Sequence, residues 1–192
     1  MYNETAVELL NDLGISTETS YPSLLTLSES STKYLRDLKV NIKTALASEA
    51  LGEKDALLVA YAAAVNAKNH SLQQAFKSKA LLAGATAEDV AETAAVASLL
   101  SANNVLYRFR HFADNKKYND IPARIRMNIM MSPVLGKERF ELISLAVSAI
   151  NGCEVCVNSH EHSVRELGAT EERIFDAIRL AAIVVSLDRI IA

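Results

Sequence analysis

Tryptophan is absent from this 192-residue chain, aromatics make up only 6% of it, and there are six glycines and three prolines. So little turn punctuation excludes the many tight connections of a β-sandwich. Cysteine is equally scarce: Cys153 and Cys156 are the only two. A loop that short stabilises a secreted fold very little, so the pair fits a reducing compartment better than a disulfide scaffold. No tract of one charge sign stands out, and the formal net charge is −3 with acids and bases interspersed. A nucleic-acid partner is therefore not expected; Lys116, Lys117, Arg124 and Arg126 read as a solvated loop and helix face. Long apolar runs are missing too. The most apolar stretch, Leu180–Val185, is bracketed by Arg179 and Asp188, well short of the roughly 18 residues a membrane span needs. The start, Met1-Tyr2-Asn3-Glu4, lacks a cationic signal-peptide region, and a cytoplasmic protein without membrane association is expected.

What remains is rich in alanine and leucine. Half the residues are hydrophobic and 22% charged, enough apolar side chain for a substantial core and too much for disorder. Comparison of the chain with itself reveals a repeat. Leu51-Gly52-Glu53-Lys54 recurs as Leu135-Gly136-Lys137-Glu138, and the Gly84-Ala85-Thr86 core recurs as Gly168-Ala169-Thr170 at the same displacement. Ala64-Val65-Asn66 resembles Ala149-Ile150-Asn151 with one position more, which a slip in a turn would explain. Each copy reads as three helices: about Lys54–Ala67, Ser71–Leu82 and Ala87–Leu106, then Lys137–Ile150, Cys153 to Leu167, and a helix opened by Thr170 and running to about Leu187. The predicted fold is an all-α bundle of two similar three-helix repeats. One domain is expected, with an N-terminal helical region at 1–50 (helical periodicity at Ala6–Leu13 and Thr32–Ala47), a degenerate repeat at 51–110, a connector at 111–134 and a redox-active repeat at 135–192. Within the connector, Asn115–Asp120 reads as a polar loop and Ile121-Pro122 as the opening of a short helix.

Only the second copy carries chemistry-bearing residues. It has Cys153-Glu154-Val155-Cys156-Val157-Asn158-Ser159-His160 where the first copy has Lys68-Asn69-His70-Ser71. At the start of a helix, unpaired N–H groups and the helix dipole favour thiolate over thiol, and cysteines so placed titrate at roughly 3.5–7.5. Cys156 lies three residues on, within disulfide reach, and His160 four residues beyond it on the same face, able to accept a thiol proton. Glu141 lies in the preceding helix. At about 1.5 Å per residue it stands roughly 15 Å before the Asn151 turn, and His160 roughly 12 Å after it, so an antiparallel hairpin brings them level. Other readings stay open on spacing alone. The cysteines can be small buried hydrophobes. Cys153, Cys156, His160 and His162 offer zinc ligands, although His162 falls off the sulfur face. Glu141, Ser144 and Ser148 can form a solvated polar stripe. His70 and His111 read as ordinary surface or packing residues.

The pattern Glu141, Cys153-x-x-Cys156-x-x-x-His160, then Leu167-Gly168-Ala169-Thr170 and an apolar helix, resembles the alkyl hydroperoxidase D family, within the carboxymuconolactone decarboxylase-like superfamily. The resemblance implies a thiol peroxidase that cycles between dithiol and disulfide without a bound cofactor or metal. It makes Cys156 the peroxidatic residue, Cys153 the proton donor and resolving thiol, and Glu141 with His160 the proton relay. It also implies a hydroperoxide substrate, reduction by a dihydrolipoyl protein or another dithiol, a peroxiredoxin partner, and a homo-oligomer, often a trimer. Some family members carry a second His before the second cysteine; Val155 stands there in this chain. Dipole placement alone would favour attack by Cys153, whereas the pairing with His160 favours Cys156. Two further functions fit the residues: a redox-regulated electron carrier or interaction protein with little peroxidase activity, and a cysteine-independent enzyme like carboxymuconolactone decarboxylase.

Overall fold

The computed structural model describes residues 1–30 and 32–192. Among these, ten α-helices form the protein and no strand is present: α1 (Glu4–Leu13), α2 (Pro22–Glu29), α3 (Tyr34–Leu46), α4 (Glu53–Ala67), α5 (His70–Leu82), α6 (Ala87–Phe112), α7 (Lys117–Asp120), α8 (Lys137–Ile150), α9 (Glu154–Glu166) and α10 (Glu171–Asp188). A 3₁₀ turn, Asn128–Met130, precedes α8. The all-α reading is met.

The two copies match cap for cap. Gly52 and Gly136 open α4 and α8 with φ of 72° and 78°, a left-handed conformation that side-chain-bearing residues rarely adopt. Thr86 and Thr170 open α6 and α10, each hydroxyl accepting from a backbone N–H in the first turn. Asn69 and Cys153 hold the same place before α5 and α9. All these pairs share the displacement of 84 that also separates Asp55 from Arg139. The one-residue slip inferred around Asn66 and Asn151 is therefore absent. These two asparagines, 85 apart, are not equivalents but partners, with Asn66 Nδ2 donating to Asn151 Oδ1 at 3.0 Å.

α4 and α8 form the centre. α4 is buried from Asp55 to Ala64, and α8 from Leu142 to Ser148, because the sequence supplies apolar or small residues on every face. The copies interlock. α6 packs on both α4 and α8, α10 likewise on both central helices, and α5 and α9 lie beside their own central helices. Asp55 and Arg139 pair at 2.6 Å across this junction. Arg173 of α10 joins them: it donates to Asp55 and Glu138 carboxylates and to the carbonyls of Ala50 and Leu51. Hydrogen bonding to Glu138 holds its guanidinium above the ordinary arginine range; burial opposes this and Asp55 adds to it.

The N-terminal helices lie over α4 and α5 of the first copy and α10 of the second. α1 packs on α5, and α3 on α4 and α10. α2, a proline-opened helix in that region, escapes the periodicity reading; only two of its residues are buried. α6 runs to Phe112, beyond the expected Leu106, since no Gly or Pro interrupts it and Arg110 and His111 complement the dipole in its last turn. The helix expected to open at Ile121-Pro122 does not form. Proline drives the residue before it into extended geometry (Ile121 φ −82°, ψ 124°), so the short α7 ends there, inside the stretch expected to be a loop.

Candidate active site

α8 and α9 form the antiparallel hairpin that the spacing of Glu141 and His160 requires, and its turn does more than reverse the chain. Gly152, at φ 66°, follows the last turn of α8. The Gly152 N–H donates to the Ala149 carbonyl and the Cys153 N–H to the Ser148 carbonyl, the paired closure of a Schellman motif. Cys153 thus closes α8 with its backbone and serves as N-cap of α9 in extended geometry (φ −98°, ψ 90°). Its side chain caps no N–H. It is joined instead to Cys156 in the first turn, in a disulfide with a Cα–Cα distance of 5.3 Å.

One turn further along α9, His160 is 8% exposed. Its Nδ1 lies 2.6 Å from Glu141 Oε2 on α8. With the carboxylate as acceptor, the Nδ1 proton is fixed and Nε2 is left as the free acceptor. The predicted alignment of Glu141 with His160 is present. The solvated stripe is not, because Ser144 and Ser148 are wholly buried. His162 is exposed, and among the described residues no three His, Cys, Asp or Glu side chains gather as metal ligands would.

A cavity of about 270 Å³ opens beside this hairpin, lined by Cys156, His160, Val155 and Ser159 from α9, Leu100, Asn103 and Tyr107 from α6, and Met127 and Met130 from the connector. Cys153, with no exposed surface, is not part of its wall. The two sulfurs are therefore inequivalent: Cys156 faces the cavity beside the histidine, and Cys153 sits behind it at the turn.

Several residues that sequence reasoning passed over hold this geometry. Asn104 donates to Ser148 Oγ (3.0 Å) and accepts from Asn151 Nδ2 (2.9 Å), which ties α6 to the turn. Arg108 Nη1 donates to the Asn151 carbonyl at 2.5 Å, satisfying an orphan acceptor at the end of α8. Polar side chains at 104 and 108 do not by themselves single these residues out, because the bonds they make run between elements. His111, read as unremarkable, pairs with Glu154 at 3.3 Å, on the rim between the cysteines and α6.

The first copy lacks the site in full, not only its cysteines. At the 84-residue displacement, Glu141, Cys153, Cys156 and His160 fall on Leu57, Asn69, Leu72 and Phe76. Leu57, Leu72 and Phe76 belong to the buried core. Asn69 caps α5 through the Leu72 N–H and donates to Asp188 and the Ile191 carbonyl.

Comparison with known proteins identifies the family. The Carboxymuconolactone decarboxylase family matches at residues 117–192. "Alkyl hydroperoxide reductase AhpD" of Anaeromyxobacter dehalogenans (strain 2CP-C) is 42% identical over 153 residues, spanning 78% of this chain and 80% of its own length. The proteins of the same name from Solibacter usitatus (strain Ellin6076) and Brucella canis (strain ATCC 23365 / NCTC 10854 / RM-666) are 40% and 38% identical. These alignments cover 83% and 80% of this chain, and 89% and 87% of the relatives. The chain belongs to the AhpD family. As an AhpD-family protein it places its only cysteine pair, and the Glu141–His160 pair that faces it, on one hairpin.

Proposed function

We propose that this protein is a thiol-dependent peroxidase that reduces hydroperoxides through Cys156 and Cys153. The observation that carries the reading is the asymmetry of the pair: Cys156 shares the cavity wall with His160, and Cys153 is sealed at the turn. In the reduced protein, His160 Nε2 takes the Cys156 proton while Glu141 holds Nδ1 and steadies the imidazolium. The thiolate attacks the terminal oxygen of the peroxide. The O–O bond breaks, the alkoxide takes a proton through His160 and leaves as the alcohol, and sulfur is oxidised to the sulfenic acid. Cys153 then attacks Cys156, expelling water and forming the disulfide. An external dithiol reduces that disulfide and is itself oxidised, so the net reaction is hydroperoxide plus dithiol to alcohol, water and a new disulfide.

The names of the relatives support a hydroperoxide as substrate. The family resemblance supports a dihydrolipoyl group as the dithiol, a peroxiredoxin as a redox partner and a homo-oligomer, and it favours the cytoplasm. Among the described residues no helix is long and apolar enough to cross a membrane. The test is a comparison of dihydrolipoamide with thioredoxin as electron donor for hydroperoxide consumption. Turnover with dihydrolipoamide is expected; turnover with thioredoxin alone would contradict the lipoyl assignment.

A further inference from the structure

Beside the cysteine cavity lies a second one of about 320 Å³, lined by Tyr107, Arg110, His111, Lys116, Asn119 and Val155. Tyr107 and Val155 also line the cysteine cavity, so the two share a wall. Their chemistry differs sharply. Leu100, Met127 and Met130 make the inner one largely apolar. The outer one has two permanent cations and a histidine in its wall and no carboxylate.

The cations are not spent on each other's neighbours. Arg110 stacks its guanidinium over the Tyr107 ring at 5.6 Å and donates to the Ile121 carbonyl, which fixes the side chain without neutralising it. Among the described residues neither Arg110 nor Lys116 has a carboxylate within ion-pair distance. Glu154, which borders this rim, is turned to His111. An uncompensated, oriented guanidinium beside an ammonium suits a planar carboxylate.

Building on the peroxidase reading, we infer that this protein prefers hydroperoxides that carry a carboxylate, such as hydroperoxy fatty acids. The acyl chain and peroxide occupy the inner cavity against Cys156, and the carboxylate lies in the outer one between Arg110 and Lys116. The cations act on binding, so they raise kcat/KM for the anionic substrate over an uncharged analogue. Each partly exposed contact contributes up to about fivefold, so the pair sets a preference of up to about thirtyfold.

Single-turnover oxidation of the pre-reduced protein tests this, with no reductant or partner protein present. Free thiol is counted after quenched alkylation, since the chain has no tryptophan to report the step. Linoleic acid hydroperoxide is compared with its methyl ester. The acid is expected to react faster, and the acid-to-ester ratio is expected to fall about fivefold in Lys116→Glu and further in Lys116→Glu/Arg110→Gln. Lys116→Glu alone keeps the test decisive if loss of the Arg110 contact to Ile121 disturbs the connector. Equal rates for acid and ester, or a ratio that survives both substitutions, would overturn the inference while leaving the peroxidase intact. Thiols untouched by either compound would overturn the peroxidase reading and this inference with it.

Discussion

At the residue scale, four side chains on one hairpin separate the working copy from its silent twin. Glu141, Cys153, Cys156 and His160 correspond to Leu57, Asn69, Leu72 and Phe76, so the silent copy spends the same positions on hydrophobic burial and an N-cap. Burial of a leucine or phenylalanine is worth about 1.5–3 kcal/mol, which the working copy forgoes at three positions. Those four residues were legible because scarcity isolated them: there are only two cysteines, and the carboxylate and imidazole offsets close geometrically. The cavity was not legible, because Leu100, Asn103, Tyr107, Met127 and Met130 come from other elements and have no periodic signature that marks a shared wall. Glu141→Gln is expected to slow thiol oxidation by about ten- to a hundredfold while leaving helical content unchanged. The neutral amide can still accept from Nδ1 but cannot balance a charged imidazole. Rapid-quench alkylation and far-ultraviolet circular dichroism would check both halves.

At the element scale, the turn between α8 and α9 is the part that must be right for the chemistry to exist. It packs a Schellman closure, an N-cap and one half of the disulfide into Gly152 and Cys153. Asn-Gly was readable as a stop, because glycine commonly ends helices in the left-handed region. Its support from Asn66, Asn104 and Arg108 was not readable, because hydrogen bonds between elements leave no local pattern. Gly152→Ala puts a side chain at φ 66° and is expected to cost about 1–2 kcal/mol, seen as a lower denaturant midpoint with an unchanged slope. The connector shows the opposite limit. Proline at 122 looked like a helix opener, a role it plays only when the preceding residue can serve as an extended cap and a helical run follows; here an irregular stretch follows instead.

At the scale of the whole molecule, duplication explains the architecture. Neither copy buries its third helix on itself alone: α6 and α10 each pack on both α4 and α8. The repeat is legible in the sequence, whereas the sharing of third helices between α4 and α8 and the Asp55–Arg139–Arg173–Glu138 cluster at that junction are properties of three-dimensional packing. Arg173→Met removes the shared partner of Asp55 and Glu138 and is expected to cost about 3–5 kcal/mol in chemical denaturation. Arg173→Lys should restore only part of this, because an ammonium cannot serve two carboxylates and two carbonyls with the same fork. The N-terminal helices lie over α4, α5 and α10, away from the cysteine cavity, which is walled by α6, α9 and the connector. The claim that draws on every level is the unequal role of the two cysteines, and one experiment addresses it directly. Pre-reduced Cys153→Ser and Cys156→Ser proteins are each given one equivalent of an organic hydroperoxide together with a sulfenic-acid trap, and the adduct is mapped by mass spectrometry. Stoichiometric trapping at Cys156 in Cys153→Ser and no peroxide consumption by Cys156→Ser are expected; trapping at Cys153 with peroxide consumed in Cys156→Ser would contradict the unequal roles.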